Sequence, residues 1–324
     1  KIVRHNNRAN VKKLNRLKKI IDKETPMMSW GFVLLVTYNI MRRFMKITFM
    51  ILSIFLLLWL ILAQSCMKFR MSDKEAKKKF DAAGVTLQTP VKKIDGTNLH
   101  YAQTGYDTFP SLLFVHGTPG SWDAFQAYLM NKELLRHYRI ISIDRPGFGY
   151  SDFGNAMNLS QQTEIISKWM DEINNGKPLI LIGHSLGGPL VLKLAAARPQ
   201  YVKTVVLLAG SQDPAAEKPE KWRPVLFKTP LNYLIPGALR PSNEELWYLK
   251  NDLKEMAVDY EKITCPVYIL HGTKDMLVPY SNVAYTQKML TKTDSVFVTT
   301  FEKENHFIVW TREKEIVELL LKLK

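Results

Sequence analysis

From Ser111 onward, short apolar runs recur along the chain: SLLFVHG (111–117), RIISID (139–144), PLILIGHS (178–185), TVVLLAG (204–210), PVYILHG (266–272) and SVFVTT (295–300). Each is apolar at consecutive positions, the pattern of strands covered on both faces. Between most of them, apolar residues return every three or four positions, which predicts helices at Trp122–Met130, Ser160–Ile173, Leu186–Ala197 and Tyr280–Leu290. A last segment of this kind, Trp310–Leu321, turns Ile316, Leu319 and Leu320 inward. The alternation predicts an α/β fold: a mostly parallel central sheet with helices on both faces. Ahead of it, residues 89–104 alternate apolar and polar around Asp95-Gly96, a two-residue hairpin signal, and RMSDKEAKKKFDAAG (70–84) reads as a charged surface helix or stalk.

One interval breaks the rhythm. Residues 211–262 are proline-rich, carry no strand signal and are too long for an ordinary loop. They predict a cap over one end of the sheet, with Asn243–Val258 as its return helix. Trp222, Phe227, Leu231, Tyr233, Leu234 and Trp247 are expected to line an apolar substrate chamber beneath it.

The N-terminal segment has another pattern. Ile47–Met67 contains no charged residue, and its apolar heart, Ile47–Ala63, is near the shortest stretch that spans a hydrocarbon core of ~30 Å. RRFMK before it and AQSC after it give the build of a secretory signal, and Ala63-Gln64-Ser65-Cys66 resembles a bacterial lipobox with Cys66 as the lipidated residue. An uncleaved anchor is the alternative. Either one makes residues 47–66 a membrane address. Met45-Lys46 would open such a signal, leaving the basic leader 1–46 as upstream sequence or, at Met27–Met41, as a second apolar element broken by Gly31 and Asn39. Residues 67–324 then form the folded domain.

Charge sharpens this division. Residues 1–46 hold 12 Lys/Arg against Asp22 and Glu24, so most of the formal +15 belongs to the leader. Basic residues ahead of the apolar run put the following domain outside the cytoplasm. The rest of the chain has no basic motif interleaved with aromatics, which excludes a nucleic-acid partner. No His/Cys/carboxylate spacing suggests a metal, and no cofactor is implied. Of the two cysteines, Cys265 enters a buried strand as a packed thiol, and disulfides are not expected.

The candidate chemistry sits at the corner between a strand and a helix. Gly183-His184-Ser185-Leu186-Gly187 is a G-x-S-x-G elbow with a strand before it and a helix after it. The glycines leave room for a turn so tight that Ser185 must adopt strained backbone angles, lifting its hydroxyl clear of the sheet. A serine nucleophile needs a base and the base an orienting carboxylate. His5 lies in the leader, His100 on the hairpin, His137 near a helix end, and His116 and His271 end strands; His184 points away from its neighbour. His306, in the loop before the last helix, remains. Asp275, directly after a buried strand, is the expected carboxylate and Asp213, one strand earlier, the alternative. The Leu186 and Thr118 N–H groups are expected to hold an oxyanion, with His116, Gly117 and His184 beside the substrate. DRPGFGYSD (144–152) reads as a sharp turn shaping the pocket wall, not a nucleotide loop.

HGTPG, DRPGFGYSD, GHSLGG, HGTKD and ENHF occur in this order, and on them the chain from about Val91 resembles the α/β-hydrolase superfamily in its single-domain capped branch. Two of these motifs are similar to those of epoxide hydrolases and haloalkane dehalogenases, which use an aspartate nucleophile where this chain has Ser185. The resemblance implies a serine hydrolase of carboxylic esters or related small acyl substrates, working through an acyl-enzyme. C–C bond hydrolysis or acyl transfer on the same residues, and a non-catalytic membrane-tethered binding protein, remain alternatives because the fold hosts all of them.

Overall fold

The computed structural model describes residues 12–19, 26–65 and 67–324. The chain divides into two compact units, residues 1–61 and 62–324. In the first, residues 12–19 are helical, and a helix of 40 residues, α1 (Pro26–Ser65), continues four residues into the second. The helix runs unbroken through Gly31 and Asn39, the two residues that interrupt the apolar run Met27–Met41. One glycine in a helix costs only ~1 kcal/mol, and Thr37 and Asn39 return their polar atoms to the Val33, Leu34 and Leu35 carbonyls of the preceding turn. Trp30–Ser65 is long and apolar enough to cross a membrane. Cys66, the cysteine of the expected lipobox, and His5 lie outside the described residues.

The second unit opens with α2 (Asp73–Ala82), capped by Ser72. Its sheet has eight strands: β1 (Val91–Ile94), β2 (Thr97–Thr104), β3 (Ser111–Val115), β4 (Arg139–Ile143), β5 (Leu179–His184), β6 (Val202–Leu208), β7 (Val267–Gly272) and β8 (Val296–Phe301). The order is β1-β2-β4-β3-β5-β6-β7-β8, antiparallel across the first two pairings and parallel from β4 onward. Asp95 and Gly96, both at positive φ, make the β1–β2 turn. Around the sheet lie α3 (Leu159–Ile173), α4 (Gly187–Ala197), α5 (Leu239–Glu255), α6 (Ser281–Met289) and α7 (Glu313–Lys322).

Successive strand residues feed opposite faces, so the sheet separates two cores. Leu113, Ile141, Leu181 and Val205 pack with Trp169 of α3 and Leu190 of α4. Leu112, Phe114, Ile140 and Ile182 pack with Phe125, Tyr128 and, from α7, Ile316 and Leu320. β8 departs from the expected buried strand. It is the sheet edge and mostly exposed, with Phe297 stacked on Tyr268 of β7 at 4.6 Å. Residues 211–262 carry no strand; they form short helical turns and α5, which begins four residues earlier than the periodicity suggests.

Two features of this fold create a site. Strand order reverses between β3 and β5, whose neighbours on the far sides are β4 and β6, so the loops leaving their carboxyl ends diverge and open a crevice. The turn after β4 then braces the loop after β3. Asp144 is fully buried and accepts from Trp122 N–H, Tyr150 N–H and His100 Nδ1 at 2.7–2.8 Å. Gly149 is the residue that lets the turn close round it, since a Cβ there would stand 2.0 Å from the Asp144 carboxyl carbon.

Arg145, also fully buried, donates to the His116 and Gly117 carbonyls (2.9 and 3.0 Å), to Gln162 of α3, and to both carboxylate oxygens of Glu245 on α5 (2.7 and 2.8 Å). One guanidinium thus ties the β3 loop, the sheet and the cap. Truncating Glu245 leaves an unpaired buried charge, so Glu245→Ala should lose about 3–5 kcal/mol in a denaturant titration. The double variant Arg145→Met/Glu245→Met should recover much of that loss, because both charges leave together.

Asp252, on the same cap helix, accepts from the Leu159 N–H at the start of α3 (2.9 Å). Burial outweighs this hydrogen bond and pushes its carboxyl up to about 6 from an ordinary 3.8. A raised folded pKa stabilises the fold while the group is protonated, fully below about pH 4 and progressively less as pH rises through about 6. Asp252→Asn keeps an acceptor for Leu159. It should raise Tm above about pH 7 and leave it unchanged below about pH 4, in melts followed by circular dichroism.

Candidate active site

Ser185 stands between β5 and α4 with φ of 55°, in the left-handed region. Three hydrogen bonds hold it there: its N–H donates to Leu208 O (3.0 Å), and its carbonyl accepts from the Gly188 and Ser211 N–H groups (2.9 and 3.2 Å). A non-glycine residue at such angles costs on the order of 1–3 kcal/mol and persists where packing over-determines it. The flanking glycines explain the packing. A Cβ on Gly183 would lie 2.3 Å from Gly187 O, one on Gly187 2.3 Å from Val115 O, and one on Gly117 2.7 Å from Ser185 Cβ. The serine corner and the β3 loop are in contact because neither carries a side chain at these points.

Asp275 follows β7 and accepts from the Leu277 and Val278 N–H groups at 2.9 and 2.8 Å. Its other oxygen lies 2.7 Å from His306 Nδ1. Burial would raise this carboxyl, but hydrogen bonds from His271 and His306 and the Val278 N–H outweigh it and hold it well below the usual range. A carboxylate only accepts, so Nδ1 of His306 carries the proton and Nε2 offers a lone pair. Asp213 lies elsewhere; its carboxylate accepts from Ala215 N–H and caps its own turn (2.8 Å).

Ser185, His306, Leu186 and Thr118 line one cavity of about 710 Å³, within the range of ligand sites. Leu186 immediately precedes α4, whose first-turn N–H groups favour negative charge. Thr118 Oγ1 donates to Ser242 of α5 at 2.8 Å, a second tie between the β3 loop and the cap.

His116, Gly117 and His184 line this cavity too. Their hydrogen bonds, however, go to the protein. His116 Nδ1 donates to Gly117 O (2.7 Å) and Nε2 accepts from the Arg145 N–H (3.0 Å). Burial and the Arg145 charge hold its pKa well below normal, which makes it a neutral brace inside its own loop. His184 directs Nε2 to His306 O (3.2 Å), with its ring 4.8 Å from that of His306. Burial and His306 bring its pKa down to about 3, so it adds no charge beside the His306 ring.

Three expectations change. Trp222, Leu231, Tyr233 and Leu234 are exposed and, like Phe227 and Trp247, stand outside the cavity; the cap wall is instead Ala216–Glu220, Arg223, Leu246 and Leu249. That wall is substantially polar: Arg223 pairs with Glu220 (2.6 Å), and Ser211 Oγ donates to Glu217 (2.5 Å). Residues 144–152 lie behind the pocket wall as its brace and do not line it. His271, set aside as a strand end, reaches Asp275 at 3.4 Å and donates to Val278 O at 2.9 Å. Only its position four residues before Asp275 hinted at that. Among the described residues, no group of three or more His, Cys, Asp or Glu is arranged to hold a metal ion.

Comparison with known proteins agrees with the fold. A family model described as alpha/beta hydrolase fold matches residues 110–243, from β3 into α5. The chain is 30% identical to epoxide hydrolase 1 of Caenorhabditis elegans over 35% of its length, but spans only 28% of that relative. It is 28% identical to the human mitochondrial palmitoyl-protein thioesterase ABHD10, over 65% of this chain and 71% of the other. The crystal structure of a membrane phospholipase A superposes with a TM-score of 0.56 at 18% identity, covering 87% of this chain and 97% of that one, a likeness of fold. With its mostly parallel sheet, its strand-to-helix serine corner and this match to the family model, the chain has the α/β-hydrolase fold.

Proposed function

We propose that this hydrolase cleaves carboxylic esters or thioesters by two-step acyl transfer. The observation that carries the reading is a strained Ser185 sharing a cavity with His306, whose Nδ1 lies 2.7 Å from a carboxylate held ionised. In this mechanism the Ser185 oxygen attacks the substrate carbonyl while His306 Nε2 takes its proton, and Asp275 fixes the tautomer and stabilises the imidazolium. The tetrahedral oxyanion is held by the Leu186 and Thr118 N–H groups, worth about 2.7–4 kcal/mol each if they act as measured donors do. Collapse passes the proton from His306 to the leaving oxygen or sulfur. Water, deprotonated by His306, then cleaves the acyl-enzyme. The serine separates this chemistry from the epoxide hydrolases with which it shares motifs.

The helix Pro26–Ser65 supports the second half of the reading, a chain tethered to a membrane with its catalytic unit outside the cytoplasm. Whether cleavage releases it is testable by N-terminal sequencing of the mature protein.

A p-nitrophenyl ester series of rising acyl length should give turnover with a length optimum. Ser185→Ala should abolish that turnover while changing stability by no more than about 1 kcal/mol. Asp275→Asn should lower kcat on the order of 10⁴-fold through the wrong His306 tautomer, whereas Asp213→Asn should leave it unchanged. Full activity in Ser185→Ala would overturn the mechanism; the reverse pattern for the two aspartates would reassign the acid.

A further inference from the structure

Around the mouth of the Ser185 cavity, five large apolar side chains stand in solvent. Phe69, Met276, Leu277, Phe307 and Trp310 line the cavity and are 50, 93, 67, 49 and 49% exposed. They arrive from three separate segments. Met276 and Leu277 directly follow Asp275, Phe307 directly follows His306, and Phe69 comes from the stretch after α1. The turns that fix the acid and the base therefore also project the rim. Scattered single exposures are ordinary, but a cluster of this size at a cavity mouth marks an interaction surface.

Phe69 identifies the partner. It lies four residues after Ser65, the last residue of α1, and four residues reach at most ~14 Å. Its position is built rather than loose. Its φ is 49°, and its carbonyl accepts from Ser121 Oγ at 3.1 Å, next to the β3 loop. The final turn of α1 is likewise hydrogen-bonded into the hydrolase unit. Gln64 donates to the Tyr233 and Ile235 carbonyls (2.8 and 3.0 Å), and the Gly237 N–H donates to Ala63 O (2.8 Å). The chain that leaves the apolar helix therefore enters the hydrolase unit at Ala63–Gln64 and reaches the cavity mouth at Phe69 within a few residues. The flanking cations are turned onto the protein, Lys68 lying 5.6 Å from the Phe153 ring centre and Arg70 donating to the Gly149 carbonyl and lying 3.9 Å over the Tyr150 ring, which leaves Phe69 as the group this stretch presents at the mouth.

We propose that the rim of the Ser185 cavity docks on the surface of the bilayer that holds the apolar helix, and that the substrate is a long-chain acyl ester or thioester drawn from that bilayer. The choice of substrate rests on the acyl-transfer reading above; the docking does not.

The test uses the full chain in phosphatidylcholine vesicles, its own cysteines replaced by serine and a single Met276→Cys carrying an environment-sensitive fluorophore. Lys93→Cys, on edge strand β1, serves as reference. At position 276, nitroxide-bearing lipid should quench the label and its emission should shift to the blue, both more than at 93. Equal behaviour at the two positions overturns the docking, and shielding that tracks protein rather than lipid concentration overturns it in favour of a second copy of the chain.

The companion measurement compares Met276→Glu with the parent on p-nitrophenyl palmitate in vesicles and p-nitrophenyl butyrate in solution. Because Met276 lines the cavity, the change should lower kcat/KM on both substrates, and the lost lipid contact should make the loss about tenfold larger on the first than on the second. An equal loss on both, or none on either, overturns the proposed route of substrate. A parent chain inactive on every ester overturns the acyl-transfer reading, and the fluorophore still decides the docking.

Discussion

Arg145 is the constraint on which the site depends. A guanidinium cannot shed its charge, so once fully buried it must find an acceptor for each donor it turns inward. Its acceptors are two carbonyls of the β3 loop, a glutamine on α3 and a carboxylate on the cap helix. The arrangement converts one desolvation cost into a rigid junction. The loop with the proposed oxyanion donor Thr118 can shift only if the cap and sheet shift with it. Asp144, its chain neighbour, does the same for the turn behind, and the glycine at 149 is there because the carboxylate needs its space.

Beside this junction the histidines divide their work by hydrogen-bond direction. His116 uses both ring nitrogens to close its own loop, and His184 spends Nε2 on the His306 backbone. Burial keeps both neutral, so neither repels the positive charge that the proposed base develops. Of the four that surround the serine corner and Asp275, His306 alone pairs Nδ1 with a carboxylate, at 2.7 Å, and His271 lies 3.4 Å from the same carboxylate oxygen. Four histidines of the same chemistry thus separate into a proposed base, a support and two braces.

Much of the fold was legible because burial on both faces leaves a direct trace: β3 to β7 are apolar at consecutive positions, and their limits fall within a residue or two of the periodicity. The glycine spacing of the elbow was legible for a similar reason, since only a side-chain-free position survives at 2.3 Å from a carbonyl. β8 misled because an edge strand may be apolar and still exposed, as Phe297 and Val298 are. The cap misled in the same way: Trp222, Leu231 and Tyr233 have the composition of a chamber wall, yet they face outward. Helix α1 runs through both residues that interrupt its apolar pattern, Gly31 and Asn39, the second returning its amide to the Leu35 carbonyl a turn earlier.

By itself, then, the sequence determined the features that local spacing dictates: the alternation of strands and helices, the tight serine corner, the apolar helix and the short list of titratable side chains. The tertiary structure decided everything that depends on direction. It brought Asp275 rather than Asp213 to His306, turned the rings of His116 and His184 into the wall, gave the cavity a polar cap side, and joined Glu245 to Arg145 across 100 positions of chain. The physical reason is that spacing along a chain fixes which side chains share a face, whereas a hydrogen bond or an ion pair between distant elements exists only once the packed core has set their angle and distance.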